Sequence, residues 1–168
     1  FANYNGRPGG CRAHRPGESP PRVSGSRSEP PMKAHRVLVH TSIQPIRWGD
    51  MDALGHVNNT VYFRYMEQTR IEWLYALARE GVGYLSGTGP VIVNAFCNFI
   101  RQLEFPGDIL AKHYVTNPGR SSFDTYITLE RTDNPGVIYA EGGSKTVWTD
   151  FKAQKSAPLP DWLRALVS

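Results

Sequence analysis

IRWGDMDALGHVNNTVYFRYMEQTRIEWLYAL, residues 46–77, is the stretch that decides the fold. A short apolar-edged strand ends in two aspartates, Asp50 and Asp52. The turn Leu54-Gly55-His56-Val57 follows, and Asn58 and Asn59 stand at the head of a periodic run. At about 100° per residue, Tyr62, Met66, Thr69, Trp73 and Leu77 share one face of a helix, with Arg64, Gln68 and Arg79 opposite. A stripe that carries Tyr, Trp and Met needs a wide apolar partner, and a sheet is the usual one. Either asparagine can cap the first turn by accepting from an orphan N–H. Glu80-Gly81 marks the expected stop, with Gly81 free to take a left-handed conformation. Carboxylates held near a helix N-terminus, where unpaired amides and the helix dipole converge, suit a reaction that develops an oxyanion.

Working outward, the chain before this stretch opens on a different composition. Residues 1–31 hold six Pro, five Gly and four Ser, too little apolar surface to offset the entropy of ordering. This head is expected to be a disordered extension, with Met32 as a natural start and residues 32–168 as one domain. An Arg-rich, acid-poor targeting peptide is the rival reading, weakened by the lack of helical amphipathicity. The head also explains the charge. Of 19 basic and 15 acidic residues, five Arg and two Glu lie in residues 1–31, leaving 14 and 13 for the rest. The isoelectric point of about 9.2 therefore belongs mainly to the head. A nearly neutral domain lacks the footprint of a nucleic-acid binder. Cys11 and Cys97, one in the head and one in an apolar strand, do not make a disulfide framework, and a reducing cytoplasm is the expected setting. No apolar run reaches the roughly 18 residues that a membrane span requires, and no signal-peptide core is seen near the start.

From Arg36 to Arg47 the pattern alternates as a strand, with Pro45 at an edge or bulge. After the helix, Gly81 to Pro90 reads as a glycine-rich loop. Val91 to Phe105 reads as a long strand that bends, followed by the turn Pro106-Gly107-Asp108. Ile109–Thr116 and a half-exposed Ser122–Arg131 are the next strands, joined at Asn117-Pro118-Gly119. Asp133-Asn134-Pro135-Gly136 closes a hairpin onto Val137–Phe151. A short helix, residues 161–166, is expected with Asp161 as its cap. Short turns favour antiparallel neighbours, so the class is α+β: a curved antiparallel sheet around one long helix.

The motif GDMDALGHVNNTVYFRYMEQTR resembles the signature of hotdog-fold acyl-CoA thioesterases of the 4-hydroxybenzoyl-CoA thioesterase type, and the resemblance extends over about residues 37–163. It implies the hotdog fold and hydrolysis of an acyl-CoA to a carboxylic acid and free coenzyme A. It implies a catalytic Asp52, the second acidic residue of the pattern, acting as nucleophile or as general base. The backbone N–H at the helix start, here Asn59, would polarise the thioester carbonyl, with Val57 and Asn58 lining the turn. A basic turn, here Arg120 before Ser121, would meet the phosphates of coenzyme A. Sites of this family lie between two protomers, which implies a homodimer or a dimer of dimers. No cofactor is implied.

Blander readings stand beside these. Asp52 is also an ordinary turn aspartate, and Asp50 reads as structural. Gly55 serves a turn whatever the function. His56 either bonds the turn backbone or lies near substrate. The side chains of Asn58 and Asn59 are equally good caps. Tyr62 and Met66 follow the apolar stripe and read as core residues or as walls of a substrate pocket, with Tyr62 among the candidate substrate-binding residues. Glu67 is a polar helix residue or a local partner of Arg70. Arg120 is also a surface turn residue, and Arg101 and Lys112 are weaker phosphate candidates. Asn94 and Asn98 are either satisfied core amides or site-facing groups. Five scattered histidines offer no metal-ligand spacing. The competing functions are an acyl-carrier-protein thioesterase, a hydratase lacking its expected Asp/His pair, and an acyl-CoA sensor without turnover.

Overall fold

The computed structural model describes residues 35–80 and 87–166. The expectations for residues 1–31, for Cys11 and for Gly81 fall outside them. Strand β1 (Val37–Pro45) leads through a single 3-10 turn, Trp48–Asp50, to the 21-residue helix α1 (Asn59–Arg79). Strands β2 (Thr88–Phe99), β3 (Asp108–Thr116), β4 (Ser122–Arg131) and β5 (Asn134–Asp150) follow. A two-residue strand β6 (Lys155–Ser156) and the short helix α2 (Asp161–Leu166) complete the described chain. The sheet is antiparallel in the order β1-β3-β4-β5-β2, with β6 added to β5. β3, β4 and β5 form a meander, while α1 carries the chain across so that β2 joins the far side. The class is α+β, as expected.

α1 is held by its apolar face. Asn58 is the cap: its Oδ1 accepts from the Thr60 N–H (3.0 Å) and the Thr60 hydroxyl (2.8 Å). Tyr62, Met66, Thr69 and Trp73 are buried as the period predicts, and Tyr65 and Leu74 widen the stripe. Leu77 is half-buried. Two apolar clusters result. Tyr62, Tyr65 and Met66 pack with Ile46, Val57, Leu103 and Leu129, and Trp73 and Leu74 pack with Phe123, Trp148 and Leu163. Each fully buried large side chain contributes about 1.5–3 kcal/mol. Helix and sheet meet tightly at Gly142 on β5. A Cβ built there would lie 2.7 Å from the methyl and 2.8 Å from the sulfur of Met66, and 2.5 Å from the Phe96 carbonyl.

Four boundaries differ from the sequence reading. β2 begins at Thr88, inside the expected loop, because Thr88–Pro90 pair with Trp148–Asp150. It ends at Phe99 rather than Phe105, and residues 100–107 run irregularly toward the site. The β4–β5 turn is tighter than Asp133–Gly136: Arg131 already pairs with Asn134, and the extra residues form a bulge. Gly136 (φ +83°) takes up the bend and donates its N–H to the buried Glu130 carboxylate (2.7 Å). Asp161 is the first residue of α2 rather than its cap, since Leu163 and Arg164 donate to the Pro160 carbonyl.

His113 lies fully buried on β3, edge-on to Trp73 at 5.0 Å, with no partner for either ring nitrogen among the described residues. Burial, aided by the charges of Arg70 and His40, lowers its pKa from 6.5 to about 3. Between these values the unfolded chain binds a proton that the folded chain refuses, so stability rises with pH across that window and is fully present above 6.5. As pH falls below 6.5, His113 alone should cost up to about 1.4 kcal/mol per unit. Urea melts of wild type and His113→Leu between pH 7 and 4.5 check this. The variant should lose stability less steeply, and identical slopes would refute the assignment.

Candidate active site

The loop between β1 and α1 is pinned at several points. Asp50 Oδ2 accepts from the Arg47 N–H (2.9 Å) and the Tyr65 hydroxyl (2.7 Å), and the Asp50 carbonyl accepts from the Asn58 N–H (2.9 Å). Burial, reinforced by that carboxylate, raises the Tyr65 pKa. Asp50 is thus spent on structure. Asp52 forms the next turn. Its N–H donates to the His56 carbonyl (2.7 Å), and its carbonyl accepts from the Gly55 N–H (3.1 Å). Gly55 takes φ +80°, a conformation that glycine adopts without strain. Asp52 Oδ1 accepts from the Leu54 N–H (2.8 Å) and more distantly from the His56 N–H (3.4 Å). No partner holds Oδ2 among the described residues.

Val57 is buried and donates its N–H to the Leu103 carbonyl (2.8 Å), tying the turn to the irregular segment after β2. The Leu103 N–H donates to the Tyr62 hydroxyl (3.2 Å), and the Tyr62 ring meets Phe99 edge-on at 5.1 Å. Burial raises the Tyr62 pKa, and the negative charge of Asp52 adds to the rise, so the phenol stays protonated. At the tip of α1, the amides of Asn58, Thr60 and Val61 are all satisfied. The Asn59 N–H has no partner among the described residues. It is an orphan donor of the first helical turn.

These groups enclose a cavity of about 290 Å³, lined by Asp52, His56, Val57, Asn59 and Tyr62 from one side and by Phe99 to Gln102 from the other. The structure therefore brings five of the eight expected site residues to one place. Gly55 and Asn58 adjoin it as turn former and cap, and Gly55 lines a second opening on the other flank of Asp52 with Trp48, Met51 and Phe105. Arg120 is not brought there. It is exposed in the β3–β4 turn, its carbonyl accepting from the Leu159 N–H and the Arg164 guanidinium. That turn adjoins Trp148, while Phe99 pairs with Ala140. Seven strand residues, about 23 Å, separate Ala140 from Val147 at the Arg120 end.

Other residues fall where the sequence did not place them. Arg101 lines the cavity, whereas Lys112 is paired with the buried Glu130. His56 Nε2 lies 3.6 Å from the Glu104 carboxylate. Asn94 and Asn98 are exposed on β2 rather than buried. Arg131 braces the irregular segment by donating to the Glu104 carbonyl (2.8 Å) and the Pro106 carbonyl (3.0 Å). Leu103 in that segment is fully buried. Cys97 is a free thiol whose pKa burial pushes up to about 11, so it is no thiolate nucleophile at neutral pH. No cluster of His, Cys, Asp and Glu among the described residues could hold a metal.

A long helix packed against an antiparallel sheet is the hotdog architecture, and Asp52 and Asn59 line one cavity at the helix tip. The chain belongs to the thioesterase-like superfamily, whose model matches residues 46–167. It is a thioester hydrolase. Among solved structures it is similar to the PA2801 protein of Pseudomonas aeruginosa, described as a candidate thioesterase, at 35% identity and a TM-score of 0.71 over 78% of this chain and 99% of that one. It is also similar to XC229 from Xanthomonas campestris, described as a candidate acyl-CoA thioesterase, at 32% identity and a TM-score of 0.64 over 73% and 99%. A third is the gentisyl-coenzyme A thioesterase BH1999, at 25% identity and a TM-score of 0.62 over 74% and 98%. No curated protein matches the sequence.

Proposed function

We propose that the protein is an acyl-CoA thioesterase of the 4-hydroxybenzoyl-CoA thioesterase type, with Asp52 and the Asn59 N–H as its catalytic groups. The observation that carries this reading is that Asp52, with one carboxylate oxygen unpartnered, and Asn59, with an orphan helix amide, line the same small cavity. Asp52 Oδ1 is anchored by the turn, which leaves Oδ2 to attack the thioester carbonyl or to take a proton from water. Attack gives an acyl anhydride on Asp52 and releases the coenzyme A thiolate, and water then frees the acid. In either route the Asn59 N–H stabilises the carbonyl oxygen as it gains charge. Tyr62, with Val57 and His56, shapes the acyl side. Relatives described as acting on coenzyme A esters support coenzyme A over a carrier protein as the leaving group. The free Cys97 thiol supports a cytoplasmic setting.

The working unit in this reading is a homodimer, or a tetramer built from dimers. β2 is a sheet edge with Val93 59% exposed, Phe96 46% and Phe99 50%. Antiparallel pairing of β2 with its copy sets the Val91 end of one chain beside the Phe99 end of the other. The Arg120 turn of one chain is thereby directed to the cavity of its partner, where a guanidinium can grip phosphate. Light scattering should find wild type dimeric or tetrameric, and Phe96→Lys should shift it toward monomer. A monomeric wild type would defeat the paired site. For the activity itself, thiol release is followed over short, long and aromatic acyl-CoAs. No release from any of them, nor from carrier-protein thioesters, would leave a binding protein without turnover.

A further inference from the structure

A second cavity lies under the C-terminal half of α1, about 16 Å along the helix from Asn59 at ~1.5 Å per residue. It measures about 150 Å³ and is walled by Trp73, Leu74 and Phe123, with Pro90 and Ile92 from β2. That is about the volume of an apolar cavity that accepts a single benzene ring. Four polar residues also line it, Glu67, Arg70, Thr125 and Thr146, and the Thr125 hydroxyl is already bonded to that of Ser144. Thr146 is 1% exposed, and its hydroxyl has no partner among the described residues. Arg70 is half-buried and makes no hydrogen bond or ion pair among the described residues. Glu67, exposed on the rim, lies near enough for its charge to act on Arg70, but no ion pair joins them. Burial lowers the Arg70 pKa without removing its charge.

A half-buried guanidinium with no ion pair and a buried hydroxyl without a partner are both costly left as they are. A ligand that satisfies both carries a carboxylate, which accepts from the guanidinium fork and from a hydroxyl, on a flat apolar body of one ring. We propose that this cavity is a second ligand site, distinct from the Asp52 cavity, for a small one-ring carboxylic acid. Its ring lies against the Trp73 and Phe123 side chains, which meet each other edge-to-face, and its carboxylate meets Arg70 and Thr146. The site does not depend on the catalytic role of Asp52.

Benzoate is the probe, with benzyl alcohol as the neutral match, followed by Trp fluorescence and by amide NMR shifts on the intact chain. Benzoate should bind at least tenfold more tightly than benzyl alcohol and shift the amides around Thr146 and Trp73. Arg70→Met should abolish that preference, and the near-isosteric Thr146→Val should weaken benzoate several-fold. Asp52→Asn should leave the binding intact, which separates this site from the proposed chemistry. The idea is overturned by equal affinity for the two probes, by an unchanged preference in Arg70→Met, by shifts confined to the Asp52 cavity, or by no binding to either probe.

Discussion

Asp52→Asn is expected to slow thiol release from the best acyl-CoA by about 10²–10⁴-fold, the range that a lost acid–base or nucleophilic group commands. Asn keeps an oxygen where Oδ1 accepts from the Leu54 and His56 amides, so the turn should hold. What disappears is the negative charge and the free basic oxygen of a residue that lines the same cavity as Asn59. The melting temperature should move by no more than a few degrees, and a slowly hydrolysed acyl-CoA analogue should still bind. That combination of lost kcat and retained affinity is the signature of a group acting in the transition state. Release within threefold of wild type would remove Asp52 from the chemistry and return it to the ordinary turn aspartate it also resembles.

The second large effect is structural. Gly142→Ala is expected to cost roughly 3 kcal/mol, the upper end of overpacking penalties. The new methyl meets the Phe96 carbonyl of the paired strand at 2.5 Å, and backbone cannot swing aside as a side chain can. It also meets the end of the Met66 side chain, which would have to move as well. Gly49→Ala is the control: no atom lies within 4 Å of its would-be Cβ and no positive φ is recorded there, so its effect should fall within about 0.5 kcal/mol. Chemical denaturation of the two variants reads the difference. A Gly142→Ala protein as stable as wild type would mean that helix and sheet do not meet as closely as described.

The helix was legible because its signal is local. A face of Tyr62, Met66, Thr69 and Trp73 recurs at a period only a helix satisfies, and Asn58 announces its start. The turn at Asp52 was legible because Gly55 and the paired asparagines carry definite backbone preferences. The family resemblance, not the physics, singled out Asp52 from Asp50. Strand ends were read less well. Thr88 to Pro90 look like loop by composition, and only their partners across the sheet, Trp148 to Asp150, make them strand. Pro135-Gly136 looked like the hairpin tip, but Glu130 draws the Gly136 amide inward and moves the tip to Thr132-Asp133. The far wall of the site, Phe99 to Gln102, could not be read at all, because it meets Asp52 only through long-range contacts such as Val57 with Leu103. Gly142 was invisible for the same reason.

The two margins of the sheet are unequal. β1 has a register break between Leu38 and His40 and ends on Pro45, which offers no amide. β2 is long and apolar over much of its length. A protein with two receptive margins can add copies without end and grow into fibres. Here one margin is blunted, so the proposed pairing along the other would be complete once two chains had met, and the geometry itself would guard against runaway polymerisation.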